Sequence, residues 1–167
     1  MVEHELPKWL VLDGYEDEPA AFGVPPYVGF HIRYLCGVLE IHGIDYQYMT
    51  IDQWRNLLRA SDQTAERLLR NIAGFACIAG AVVPGKYLRG TPVSINEINE
   101  IIQFLPNNVP AILGGWAIRG WRHQGWNPLR KNLFLSLQDT DATLDYFLRH
   151  DTWTVSYTHL TLPTTYH

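Results

Sequence analysis

The chain has 167 residues, of which 47% are apolar and 18% charged, with a formal net charge of −4. That balance suits one folded domain with a real core and excludes a disordered segment. It also argues against a surface that grips a nucleic-acid backbone, which needs excess positive charge.

Residues 1–7 form a polar leader ending at Pro7, without the basic start and hydrophobic segment of a secretion signal. No apolar run approaches the length of a membrane span. Trp9-Leu10-Val11-Leu12 reads as a strand buried on both faces, stopping at Asp13-Gly14. A long turn-rich loop follows to Tyr27, carrying Asp13, Glu16, Asp17 and Glu18 together with Pro19, Pro25 and Pro26. Loops of that length at a strand's carboxyl end usually bind or cover something. Gly29 to His42 reads as a helix with Phe30, Tyr34, Leu35, Val38, Leu39 and Ile41 as its stripe, and Gly43 as its left-handed terminator.

Asp45 to Thr50 is the second strand, and Ile51–Leu58 and Thr64–Arg70 are short helices with Trp54, Leu57, Leu58, Leu68 and Leu69 inward. Gly74–Gly80, extended through Val83, suits a central parallel strand. After it comes a second turn-rich loop, Pro84 to Pro92. Ser94 with Glu97 spells a capping box, with Val93 and Ile98 as the hydrophobic staple. The helix that follows buries Ile95, Ile98, Ile102 and Leu105. Pro110–Gly115 is a fourth strand, Asn132–Leu137 a fifth, and Asp141–Arg149 a final helix. The Trp-, Arg- and Gly-rich stretch Trp116–Trp126 carries no assigned element. Its rings can stack on bases, but they are better read as packing against a neighbouring domain.

Alternating strands and helices predict a Rossmann-like or flavodoxin-like three-layer α/β domain with a parallel sheet in the order 2-1-3-4-5. Its ligand crevice then lies at the carboxyl edge between the first and third strands, with the two long loops facing each other above it. The chemistry-bearing residues there are few. Asp13, at the strand edge, can cap loop amides or hydrogen-bond a ligand. Gly85-Lys86 can hold a phosphate or amide, or be a plain turn with the lysine in solvent. Gly114-Gly115 permits close approach of a flat ligand, or a tight turn. The acidic loop lacks the second acidic cluster that a magnesium site of receiver type needs. No dinucleotide fingerprint, phosphate-binding loop, histidine ligand spacing or catalytic triad is spelled out. Cys36 and Cys77 are the only cysteines and fit reduced, buried thiols of a cytoplasmic protein.

Two resemblances add to this. The segment Thr154-Val-Ser-Tyr-Thr-His-Leu-Thr-Leu-Pro-Thr164 resembles the in-frame translation of a transposase adapter used in preparing DNA sequencing libraries. That implies a domain over residues 1–153, a non-biological tail over 154–167, and a metagenomic gene fragment. The series LDGYEDEPAAFGVPPY, YMTIDQWR, AGAVVPGKYLRGTP and AILGG resembles the N-terminal, cobalamin-binding-like domain of an archaeal-type family of radical SAM proteins. In that family a radical SAM barrel and a C-terminal helix-hairpin-helix element follow. The likeness covers Lys8 to Gly115 and fades beyond it, with Trp116 where the family pattern has proline.

The resemblance implies an accessory domain that binds cobalamin or a substrate over the sheet's carboxyl edge and partners the downstream barrel. Asp13, Gly14, Tyr15, Pro25, Tyr27, Gly85, Lys86, Tyr87, Thr91 and Gly114 would line the crevice. The C-x-x-x-C-x-x-C motif that holds a [4Fe–4S] cluster for S-adenosylmethionine is absent here, so cluster and cosubstrate would belong to the downstream part. The D-x-H-x-x-G motif that gives cobalamin an axial histidine is absent too, because Gly14 and Tyr15 follow Asp13. The alternative is a docking module without a cofactor of its own; an FMN or receiver-type signalling domain is a weaker third reading.

Overall fold

The apolar run at Trp9 forms β1 (Trp9–Gly14), with every residue buried. The computed structural model describes residues 7–15, 28–80 and 91–150. In chain order the remaining elements are α1 (Phe30–Ile41), β2 (Tyr46–Thr50), α2 (Ile51–Ala60), α3 (Asp62–Arg70) and β3 (Gly74–Ala79). They continue with α4 (Ile95–Phe104), β4 (Ala111–Gly114), α5 (Trp116–His123), β5 (Leu133–Leu135) and α6 (Thr140–His150). The strands make one parallel sheet in the order β2-β1-β3-β4-β5. This is the expected α/β architecture of Rossmann or flavodoxin type.

Period-two alternation assigns the strand side chains to two cores. Leu10, Leu12, Phe75, Cys77 and Leu113 face one side, where α2, α3, α4 and α5 bring Trp54, Leu69, Ile98 and Ile118. Trp9, Val11, Ala76, Ile78 and Ile112 face the other, against Ile32, Leu35 and Leu39 of α1 and Leu144 and Phe147 of α6. Trp54 is only 1% exposed. Burying a side chain of that size contributes about 3 kcal/mol, which makes it a principal anchor of α2.

Local signals held where they had a specific mechanism. Thr50 and Ser94 each cap their helix with a reciprocal box, through Gln53 and Glu97. Val93 and Ile98 share one buried cluster. Gly43, at φ 65°, follows the end of α1.

Three expectations are corrected. The inward face of α1 is Ile32, Leu35 and Leu39, while Phe30, Tyr34 and Ile41 are exposed. The helix is apolar on both sides, so periodicity alone picks Leu35 and Leu39 correctly but adds three outward residues and misses Ile32. In α4 the buried face is Ile98 and Ile101, with Ile102 only half-buried. The Trp-rich stretch holds α5, and only Trp116 of its three tryptophans is exposed. Trp121 and Trp126 pack on the core edge-to-face, their centroids 5.5 Å apart, and Trp126 Nε1 donates to Asn99 Oδ1 at 3.0 Å. The extension of the third strand through Val83 and the tail 154–167 lie outside the described residues.

Candidate functional site at the carboxyl edge

β1 is the second strand of the sheet, and its register sets Asp13 opposite Thr50 of β2 and Ile78 of β3. The sheet order turns here: β2 lies to one side of β1 and β3 to the other, which defines the switch point of an open α/β sheet. Asp13 is 6% exposed. Its Oδ1 accepts the Tyr15 backbone N–H at 2.9 Å and its Oδ2 accepts the Tyr48 hydroxyl at 2.9 Å. Tyr48 reaches it because β2 pairs in parallel with β1, placing Val11 opposite Tyr48 one pleat below. Burial raises the Asp13 pKa above the usual carboxylate value, although the Tyr15 amide and Tyr48 hydroxyl pull it down. Burial and the Asp13 carboxylate together push the Tyr48 phenol up.

The chain leaves the strand under constraint. Tyr15 has φ 58°, a left-handed conformation costly for a residue with a bulky side chain. Both ends of the residue are held: its N–H by Asp13, its hydroxyl by Asp52 Oδ2 at 3.1 Å. Strain of this kind persists only where the surroundings over-determine it, and it clusters at functional sites.

On the other side of Tyr15 sits a network that the sequence reading did not single out, centred on Arg55. Its Nε and Nη2 donate to Glu97 Oε1 and Oε2 at 2.6 and 3.1 Å. Its Nη1 donates to Asp52 Oδ1 at 2.8 Å and to the Thr91 carbonyl at 2.7 Å, and Nη2 also reaches the Pro92 carbonyl at 3.1 Å. Bidentate pairing of this geometry is among the stronger polar contacts available to a protein. The Glu97 pKa is lowered: burial works to raise it, but the hydrogen bonds from Arg55 and Ser94 outweigh burial. Arg55 thus fastens the chain at 91–92 to the start of α4. Apart from Asp52, one turn back on α2, the partners lie 36 to 42 residues away in the chain, so no local signal announces them.

The stems of the two long loops meet. The Val93 N–H donates to the Gly14 carbonyl at 3.0 Å. A Cβ added at Gly14 would lie 2.5 Å from Val93 Cγ1, and one at Gly80 would overlap Pro92. Gly114 has the same property against Thr140, at the start of α6. At Gly115 φ is 99°, and the Ala79 carbonyl lies where a side chain would sit, so only glycine turns the chain into α5.

Of the expected crevice residues, Asp13, Gly14, Tyr15 and Thr91 come together at the switch point, while Gly114 lies two strands from β1, against Thr140. Pro25, Tyr27, Gly85, Lys86 and Tyr87 lie outside the described residues, as do Glu16, Asp17 and Glu18. Among the described residues no group of three or more His, Cys, Asp or Glu side chains is placed to hold a metal ion. No described helix is long and apolar enough to cross a membrane. Cys77 is buried and Cys36 half-buried, and burial raises the pKa of both thiols.

Similarity to known proteins is confined to part of the chain. It is 39% identical over 93 residues to an uncharacterized protein of Methanocaldococcus jannaschii, covering 56% of this chain and 16% of that protein. It is 46% identical over 92 residues to an uncharacterized protein of Archaeoglobus fulgidus, covering 54% of this chain and 16% of the relative. The chain therefore spans about a sixth of the length of these curated relatives. No family model matches it.

Proposed function

We propose that this chain is an accessory α/β domain of a longer radical SAM protein, and that the carboxyl edge of its sheet presents the two proline- and glycine-rich loops to that protein's substrate and catalytic barrel. The observation that carries the reading is the Val93–Gly14 hydrogen bond, which brings the stems of both loops to the switch point. The loop motifs that resemble the family begin or end at these stems. Archaeal relatives several times longer than the matched stretch agree with a domain that works as part of something larger.

Cobalamin is the cofactor the resemblance implies, and the described residues fit it poorly. Gly14 and Tyr15 stand where an axial histidine would be supplied. The glycine positions that would open a cradle are filled from within the chain, Gly14 by Val93, Gly80 by Pro92 and Gly114 by Thr140. These contacts favour the docking reading, in which the loops order against the barrel or its substrate and Asp13 holds the first loop's origin.

The test is to add hydroxocobalamin to the chain, follow its visible spectrum, and pass the mixture over a gel-filtration column. The docking reading expects an unchanged spectrum and separate elution; co-elution with a shifted spectrum restores cobalamin as the ligand. Sequencing the intact gene tests the parent class. A downstream C-x-x-x-C-x-x-C triplet is expected, and an intact gene without one ends the radical SAM assignment.

A further inference from the structure

The opposite, amino edge of the sheet holds a cleft of about 630 Å³ between the end of α3, the end of α4 and the approach to β5. Arg70 and Arg130 are in its wall, with Gln103 and Asn107 as further polar groups and Phe104 and Leu129 as apolar ones. Among the described residues no acidic side chain lines it, although acids outnumber Lys and Arg by 17 to 13 in the whole chain. Leu129 is 94% exposed.

Arg130 is the unusual member. Its Nη2 donates to the Pro106 and Val109 carbonyls, tying down the turn after α4. That contact complements the carboxyl end of a helix, where a cation is favourable. It uses only one nitrogen. Nε and Nη1 are shielded from solvent and have no hydrogen-bond partner. Burial lowers the Arg130 pKa, with no carboxylate to oppose it. Buried donors without acceptors are rare and costly, and each calls for a specific explanation. Arg70 differs: it is 65% exposed and paired with Glu66 one turn back on α3.

We propose that this cleft binds a small amphipathic carboxylate, whose charged end supplies the acceptor Arg130 lacks and whose apolar body lies against Phe104 and Leu129. The size is right for such a ligand, since small-molecule sites run from about 300 to 1,000 Å³ and are mostly apolar with few polar groups. A carboxylate matches a guanidinium in shape and charge better than a neutral amide does. Because Nε and Nη1 are shielded in the free chain, engaging the ligand requires the guanidinium to swing from the Pro106 and Val109 carbonyls toward the cleft, where Arg70 at the rim adds a second, weaker attraction.

The experiment is a titration of the whole chain with benzoate, observing the arginine side-chain Nε–H signals and the backbone amides of residues 103–107 by NMR. A saturable shift confined to Arg130 and those amides is expected. Acetate, without the apolar body, and methyl benzoate, without the charge, should each bind at least about tenfold more weakly, the equivalent of one lost contact of this kind. R130M should abolish the response. Because R130M also removes the turn contacts, R70Q serves as the second variant, and it should weaken binding several-fold with the fold intact. R59Q, on α2, should change nothing. Absence of a saturable shift overturns the proposal. Equal binding of acetate or of methyl benzoate overturns it as well, the first by removing the apolar seat and the second by removing the charge.

Discussion

Arg55 and Arg130 are both partly buried arginines on the same side of one sheet, one at each edge, and their surroundings could hardly differ more. Arg55 is met by two carboxylates and two carbonyls, so each of its nitrogens donates at good distance. Arg130 is met by two carbonyls at a single nitrogen and by nothing at the other two. The first edge is closed by contacts within the chain: glycines filled by Val93, Pro92 and Thr140, and a strained Tyr15 pinned at both ends. The second keeps an open cleft, with unmatched, shielded donors in its wall. Polar groups at the first edge build loop stems, whereas those at the second await a partner.

The comparison breaks most visibly at Arg55. R55M takes this donor from the Glu97 and Asp52 carboxylates and two carbonyls, and because the network is only partly buried the cost falls between the surface and buried limits, about 2 to 3 kcal/mol. Urea denaturation should show that loss, and a cost under about 1 kcal/mol would mean that the network adds little beyond the fold. Smaller is the effect of G114A. The new methyl would overlap Thr140, and overpacking of this kind costs about 1 to 3 kcal/mol. An unchanged denaturation midpoint would show that the start of α6 yields freely and that the carboxyl edge is less tightly closed than its contacts imply.

Asp13 sharpens the comparison through pH. Burial raises its pKa in the folded state, so the folded chain holds that proton more firmly than the unfolded chain does. The stabilisation from this group is therefore complete below the unfolded aspartate value and is lost as pH rises through the folded one. D13N is uncharged throughout, and its amide can still accept from Tyr15 and donate to the Tyr48 oxygen. It should match the wild type in acid and gain on it towards neutrality, as read from thermal midpoints at a series of pH values. A variant that loses stability towards neutral pH would mean that the ionised carboxylate is the form the loop stem requires.

The parts legible in the sequence were those whose cause is local. The strand order followed from apolar runs alternating with capped helices, and Ser94 with Glu97 fixed the start of α4 within a few residues of chain. Asp13 stood out because an acid closes an otherwise apolar strand. What stayed hidden is non-local. Arg55 finds its partners 3 to 42 residues away, and its role depends on a loop returning to α2. The helix α5 contains Gly120 and follows Gly114-Gly115, a poor local case for a helix. It forms in place because Gly115 takes a positive φ and the Ala117 N–H is received by the Gly80 carbonyl at 2.9 Å. On α1, apolar residues on both faces left the choice to packing against α6 and the sheet.

The smallest expected change is the most discriminating between the edges. In R130M an apolar side chain of similar reach replaces a guanidinium whose Nε and Nη1 are buried without partners. The loss is two contacts, to the Pro106 and Val109 carbonyls, worth about 2 to 4 kcal/mol together, and the gain is relief from burying two unmatched donors, of similar size. The two offset, so R130M should lie within about 1 kcal/mol of wild type where R55M loses about 2 to 3, because exchanging poorly compensated buried charge for apolar volume is often neutral or favourable. A loss as large as that of R55M would mean that Arg130 is a structural brace for the turn after α4, fully engaged by its carbonyls, and the two edges of the sheet would then be built on the same principle.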